Sequence, residues 1–262
     1  MQAHGNTLSI DLKDFSIEYR ERWYYDFRKK MKMKTIGMIG GMSWESSLEY
    51  YRIINEDVHA RLGGVHSAKC LMLSVDFAEI EEQQRLGQWA EAAQAMVEAA
   101  QALERGGADF VVICTNTMHK MADEVQTAVH IPLLHIADAA AVEIQKQGLH
   151  RVGLLGTRFT MEEPFYKERL AEKFGLEVLI PGADDREVIH RIIYDELVLG
   201  KIEKKSKAEY LRIIAALQAE GAEGIILGCT EIGLLVQQAD CRIPLFDTTL
   251  LHAKAAVDFA LA

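Results

Sequence analysis

The sequence predicts an α/β protein made of two similar halves, each a parallel sheet flanked by helices, facing each other across a cleft. Three observations lead there. Short apolar runs that stop at small or polar residues alternate with longer helical segments, the pattern of parallel strands joined by helical crossovers. The order of these segments occurs twice. Three landmarks also repeat at nearly constant spacing: Ile36 answers to Val152 after 116 residues, Gly107-Ala108-Asp109 to Gly221-Ala222-Glu223 after 114, and Ile131-Pro132-Leu133 to Ile243-Pro244-Leu245 after 112.

Residues 1–32 stand apart, with charged residues alternating with aromatics up to Arg28-Lys29-Lys30 and no apolar stretch of a secretory signal. They are expected to lie outside the fold. The first strand, Thr35 to Ile39, runs into the glycine turn Gly40-Gly41-Met42-Ser43, and Ser46 to Arg61 reads as a helix. A strand at 70–76, a polar segment Phe77 to Gln84, a helix at 88–105 and a strand at 109–114 follow. That strand delivers Thr115-Asn116-Thr117 to its carboxyl end, where open α/β sheets bind ligands. A helix at 118–127, a strand at 131–136 and a helix at 137–147 complete the first half.

The second half repeats the order. Strands are expected at 151–157, 176–180, 223–228 and 243–247, with helices at 163–173, 185–199, 206–220 and 249–261. Its third strand, Gly224-Ile225-Ile226-Leu227-Gly228, ends at Cys229-Thr230-Glu231. The shift of 114 residues that superposes the Gly-Ala-acid landmarks places Cys229 on Thr115.

Bulk properties narrow the function. A formal net charge of −10 and a pI near 5.4 argue against nucleic-acid or anionic-membrane surfaces. No apolar run reaches the roughly 18 residues of a membrane span. Four scattered cysteines suit reduced thiols in the cytoplasm rather than a disulfide framework.

Cys229 is the residue with the clearest chemical promise. It follows a strand and precedes a helix start, a setting expected to lower a thiol pKa from about 8.5 toward neutrality. Cys114 lies one residue before Thr115, so strand alternation points it into the core; Cys70 and Cys241 read as buried apolar residues. His119 reads as structural, and Cys114, His119 and Cys229 match no compact metal-ligand spacing. Asp76 ends a strand and could face the cleft. Gly37-x-x-Gly40-Gly41 is not the dinucleotide fingerprint, although it could form a backbone nest for a carboxylate, with Thr157 as its counterpart.

The motifs Ile39-Gly40-Gly41-Met42-Ser43, Cys114-Thr115-Asn116-Thr117 and Gly228-Cys229-Thr230-Glu231, in this order and in duplicated halves, resemble the aspartate/glutamate racemase family over about residues 33–262. The resemblance implies an active site between the halves, no pyridoxal phosphate, no metal and a homodimer. It implies that the last helix packs back on the first half, dividing the chain into 33–130 with 246–262 and 131–245. It further implies proton transfer at the Cα of a small acidic amino acid by two cysteines, one from each half, on opposite faces of the carbon. Met42 and Gln84 lie where family members line the pocket. Asn116, Thr117, Thr230 and Glu231 are expected to bind substrate, the first three suiting its carboxylates and ammonium.

The sequence departs from that pattern at Thr115, where the first cysteine should stand. A hydroxyl is far less ionised than a thiol at neutral pH and is the poorer base, yet it can return a proton to a carbanion. Cys229 as base and Thr115 as opposite-face acid define a racemase that favours the L enantiomer. Related decarboxylases or maleate-type isomerases, and a binding protein that has lost the chemistry, are the alternatives.

Overall fold

A computed structural model describes residues 33–262, so the expectation for residues 1–32 lies outside the described residues. The chain runs β1 (Ile36–Gly40), α1 (Trp44–Leu62), β2 (Cys70–Ser74), α2 (Phe77–Leu86), α3 (Trp89–Arg105), β3 (Phe110–Ile113), a 3₁₀ turn (Thr117–Met121), α4 (Ala122–Ala128), β4 (Leu133–Leu134) and α5 (Ile136–Lys146). It continues as β5 (Arg151–Gly156), α6 (Arg158–Glu162), α7 (Pro164–Phe174), β6 (Glu177–Leu179), α8 (Ala183–Asp195), a 3₁₀ turn (Leu197–Leu199), α9 (Lys204–Ala219), β7 (Gly224–Gly228), α10 (Ile232–Leu235), a 3₁₀ turn (Gln238–Asp240), β8 (Leu245–Asp247) and α11 (Thr248–Leu261). The segment 77–84, read from sequence as polar and unassigned, is the helix α2, with Asp76 as its N-cap accepting from Ala78 N. Asp76 is thus spent on capping.

The two sheets have the same order, β2-β1-β3-β4 and β6-β5-β7-β8, and every adjacent pair is parallel. Their registers correspond: Ile36 pairs with Phe110 as Val152 pairs with Gly224, and Val111 pairs with Leu133 as Ile225 pairs with Leu245. The backbone pairing thus reproduces the spacings of 116, 114 and 112 residues in the sequence.

Alternate residues of β1 and β3 feed two cores. Ile39, Val111 and Ile113 pack on α2, α3 and α4, whereas Ile36, Met38, Phe110, Val112 and Cys114 pack on α1 and α11. One cluster fills the second half, drawing on α5 and on the helices from α6 to α10. The two crossings are reciprocal. The helix α5 follows β4 of the first sheet and packs into the second-half core, while α11 follows β8 of the second sheet and packs with Ala253, Ala256, Val257 and Ala260 into the first-half core. Two strands therefore sit across the expected divisions: Leu133–Leu134 belongs to the first sheet and Leu245–Asp247 to the second. The exchange occurs after each fourth strand, at the edge of its sheet, where the following helix can cross without breaking a hydrogen-bonded ladder.

Candidate active site

The carboxyl ends of β3 and β7 meet at one small cavity. Met42, Thr115, Asn116, Thr117, Thr157, Ile193, Tyr194, Val198, Gly228, Cys229 and Glu231 line it. The glycine turn after β1 can form because Gly41 has a φ of 96°, and a Cβ there would collide with the Val75 backbone. It delivers Met42 to the cavity and Ser43 to its edge.

Ser43 spans the halves. Its hydroxyl donates to Glu231 Oε1 at 2.7 Å while also capping α1. The other carboxylate oxygen accepts from Thr230 Oγ1 at 2.7 Å and from the Cys229 thiol at 3.0 Å. Glu231 is 3% exposed, and these three donors satisfy it without a cation. Burial first, and then the Glu231 carboxylate, push the Cys229 thiol well above its ordinary value. The expected lowering is therefore overturned: the helix beyond Cys229 has only four residues, and the nearest charge is negative.

On the first-half side, Asn116 Nδ2 donates to Thr248 Oγ1 at 3.0 Å, and its Oδ1 is buried without a partner. Thr117 Oγ1 lies 3.0 Å from Thr157 Oγ1, joining the two halves. His119 Nδ1 is 2.7 Å from Thr115 O and its Nε2 accepts from Ile136 N at 3.1 Å, so the Nδ1–H tautomer braces the Thr115 carbonyl. Burial, helped by His135 and His252, lowers the His119 pKa far below the usual value. The structural reading of His119 fits these bonds.

Six of the eight sequence-selected residues line the cavity: Met42, Thr115, Asn116, Thr117, Cys229 and Glu231. Thr230 is outside the lining and donates to Glu231 Oε2. Gln84 is buried, donating to Met118 Sδ at 3.2 Å and accepting from Tyr194 at 3.1 Å. Cys114 is fully buried, as expected, but Cys70 and Cys241 are only half-buried at the edges of their cores, a correction to the buried reading. Sequence reasoning missed the cleft-lining Ile193, Tyr194 and Val198, the bridge from Ser43, and Thr248. Among the described residues, no three His, Cys, Asp or Glu side chains converge as a metal cluster, and no helix is long and apolar enough to cross a membrane.

The family profile described as Asp/Glu/Hydantoin racemase matches residues 39–256. The chain belongs to this racemase family. A Yersinia pestis structure described as a candidate Asp/Glu racemase is 56% identical, with a TM-score of 0.82 over 88% of this chain and all of that one. An aspartate racemase homologue from Pyrococcus horikoshii OT3 is 38% identical, with a TM-score of 0.76 over 87% of this chain and 99% of its own. The broad specificity amino-acid racemase RacX of Bacillus subtilis (strain 168) is 27% identical over 176 residues, which is 64% of this chain and 72% of the relative. Membership makes the protein an enzyme of the racemase type, and its duplicated α/β architecture is that of the family.

Proposed function

We propose that this racemase interconverts the enantiomers of acidic amino acids without a cofactor, with Cys229 as base on one face of Cα and Thr115 as acid on the other. The observation that carries the reading is the equivalence of these positions. The paired registers of the two sheets relate Thr115 to Cys229, and both side chains line one cavity. A racemase needs an acid and a base on opposite faces of a carbon, and a duplicated fold supplies two such positions.

In this reaction the Cys229 proton moves to Glu231, and the thiolate removes the Cα proton of the L substrate. Asn116 and Thr117 hold the substrate, and the closed, buried site favours the carbanion only where donors face its carboxylate. The Thr115 hydroxyl then protonates the opposite face. Its alkoxide recovers a proton from water, while the proton gained by Cys229 and Glu231 leaves to water. Because a threonine hydroxyl is a poor base, removal of the proton from the D enantiomer is slow. The overall equilibrium between enantiomers stays near unity, so the asymmetry appears in exchange kinetics and not in final composition.

The descriptions of the two solved relatives, a candidate Asp/Glu racemase and an aspartate racemase homologue, support an aspartate or glutamate substrate. The free state of all four cysteines supports a reducing compartment, and Trp44, Leu48 and Tyr51, exposed along one face of α1, support the homodimer. The deciding experiment follows Cα–H exchange in D₂O by NMR for L- and D-aspartate and L- and D-glutamate, with Cys229→Ala as control. Exchange of an L form that vanishes in the control supports the reading. Equal, rapid exchange of the D form by the natural enzyme overturns the one-sided mechanism, and CO₂ release from a malonate without exchange assigns the site to a decarboxylase.

A further inference from the structure

We propose that Thr248 is a positioning residue: it fixes the amide of Asn116 so that its oxygen is left for an ammonium group, and so selects substrates that carry one. This rests on the amino-acid reading above but concerns binding rather than proton transfer.

Thr248 is fully buried at the start of α11. Its hydroxyl has one hydrogen, donated to the Leu227 carbonyl at 2.8 Å. That carbonyl is held in β7, whose Leu227 is in register with Asp247 of β8. The Thr248 oxygen is then free only to accept, and it accepts from Asn116 Nδ2 at 3.0 Å. Turning the amide over would set Asn116 Oδ1 against a hydroxyl whose hydrogen is already committed, placing two acceptors face to face. Thr248 therefore decides which end of the amide remains open. The open end is Oδ1, an acceptor without a donor on a residue that is 2% exposed and lines the cavity.

A buried acceptor of this kind calls for a donor, and a substrate ammonium supplies one. Glu231, the carboxylate of the same cavity, already receives Ser43, Thr230 and Cys229 on its two oxygens. Asn116 Oδ1 is thus a buried acceptor, on a residue that lines the cavity, that no protein donor occupies. Thr248 and Leu227 come from the second half of the sequence and Asn116 from the first, so the amide is set only when the halves are together.

The test compares, by calorimetry, the affinities of L-aspartate and of succinate, its counterpart without the amine, for the natural enzyme, Thr248→Val and Thr248→Ser. The natural enzyme is expected to prefer the amino acid. Thr248→Val should reduce that preference about tenfold to a hundredfold, because the amide is free to turn, and Thr248→Ser should restore it. In turnover the loss should appear in KM more than in kcat. An unchanged preference in Thr248→Val, or equal loss of both affinities, overturns the proposal. So does the absence of any preference in the natural enzyme. Thr248→Ala gives the same readout should the valine variant not fold. Because binding is read directly, an enzyme that shows the preference but exchanges no Cα proton refutes the racemisation reading and leaves the role of Thr248 standing.

Discussion

Glu231 Oε2 lies 3.0 Å from the Cys229 sulfur, and the same carboxylate receives Ser43 from the other half of the fold. The thiol is thus a donor to a buried carboxylate that can take its proton. Glu231→Gln removes the acceptor of that proton but keeps the shape of the side chain. The variant should lose about 10²–10³ in kcat for L-aspartate or L-glutamate, with a smaller change in KM. Exchange in D₂O measures it; a variant with full kcat would show that the thiol gives its proton elsewhere.

The pH profile should carry the same signature. Burial and the Glu231 charge raise the Cys229 pKa, so little thiolate forms at neutral pH by loss of the proton to solvent. Transfer to Glu231 moves the proton within the pair, so kcat/KM for the L substrate is expected to vary little from pH 7 to pH 9. In Glu231→Gln the thiol must lose its proton to solvent, and kcat/KM should instead rise about tenfold per pH unit below the thiol pKa. A natural enzyme that climbs in the same way would show that Cys229 gives its proton to solvent and not to Glu231.

Thr115 is the second lever. Thr115→Cys restores a thiol on the first-half face and should raise D-enantiomer exchange about a hundredfold or more, with L exchange changing less. Thr115→Val leaves no proton to deliver and should stop formation of the D product while L exchange persists. Chiral chromatography beside the exchange assay distinguishes the two. Loss of L exchange in Thr115→Val would mean that Thr115 acts on the same face as Cys229.

Much of this was legible in the sequence, for a physical reason. A duplicated fold keeps equivalent backbone positions at near-constant spacing, so Thr115 and Cys229 could be paired from the Gly-Ala-acid landmarks alone, and the strand registers agree. What sequence did not reveal depends on contacts between distant segments. Tyr194 meets Gln84 across 110 residues and Asn116 meets Thr248 across 132, and no local periodicity encodes either bond. The thiol was misjudged because position after a strand suggests an electropositive setting. That position says nothing of a carboxylate two residues on folding back onto the sulfur. The repeated apolar pattern set the strands at 131–136 and 243–247 in the first and second halves, where the sheets hold them; the divisions at 130/131 and 245/246 that the family resemblance implies cut across them because a helix exchange follows each of these strands.

Three neutral histidines at the crossings of α5 and α11 should make the protein acid-sensitive. The rings of His135 and His252 lie 4.5 and 5.6 Å from that of His119, and Tyr50 OH is 2.8 Å from His252 Nδ1. Burial, then Arg169, presses His135 to about 2, and burial presses His252 to about 4. Between about pH 6.5 and pH 4 the unfolded chain binds a proton at His252 that the folded chain excludes. Stability therefore rises with pH across that window and is lost as the pH falls, by up to about 1.4 kcal/mol per unit for each such histidine. Thermal melts at pH 7, 6, 5 and 4 should fall progressively, and His252→Gln should flatten the slope even though it lowers stability at pH 7. Parallel curves for the two proteins would remove His252 from the account.

Closure of the cleft is the last property open to direct test. The cavity is about 20 Å³, room for a water molecule but not for an amino acid, so its lining must move to admit substrate, and the groups that close it lie on both halves. Several contacts hold them together: the Lys120–Glu163 ion pair, Trp89 edge-on to Phe159 at 5.0 Å, and Tyr194 OH donating to Gln84 Oε1 at 3.1 Å. Tyr194→Phe keeps the ring and its packing on His190 but leaves the Gln84 oxygen without that donor. The closed form should lose about 1–3 kcal/mol relative to an open form in which water reaches Gln84. If substrate is held only in the closed form, its KM should rise by roughly five- to a hundredfold, with kcat falling less, because the proton-transferring groups are untouched. Small-angle scattering of the free variant should show a larger radius of gyration, and added L-aspartate should restore the compact value. An unchanged KM together with unchanged scattering would show that Tyr194 packs in the cleft without latching it.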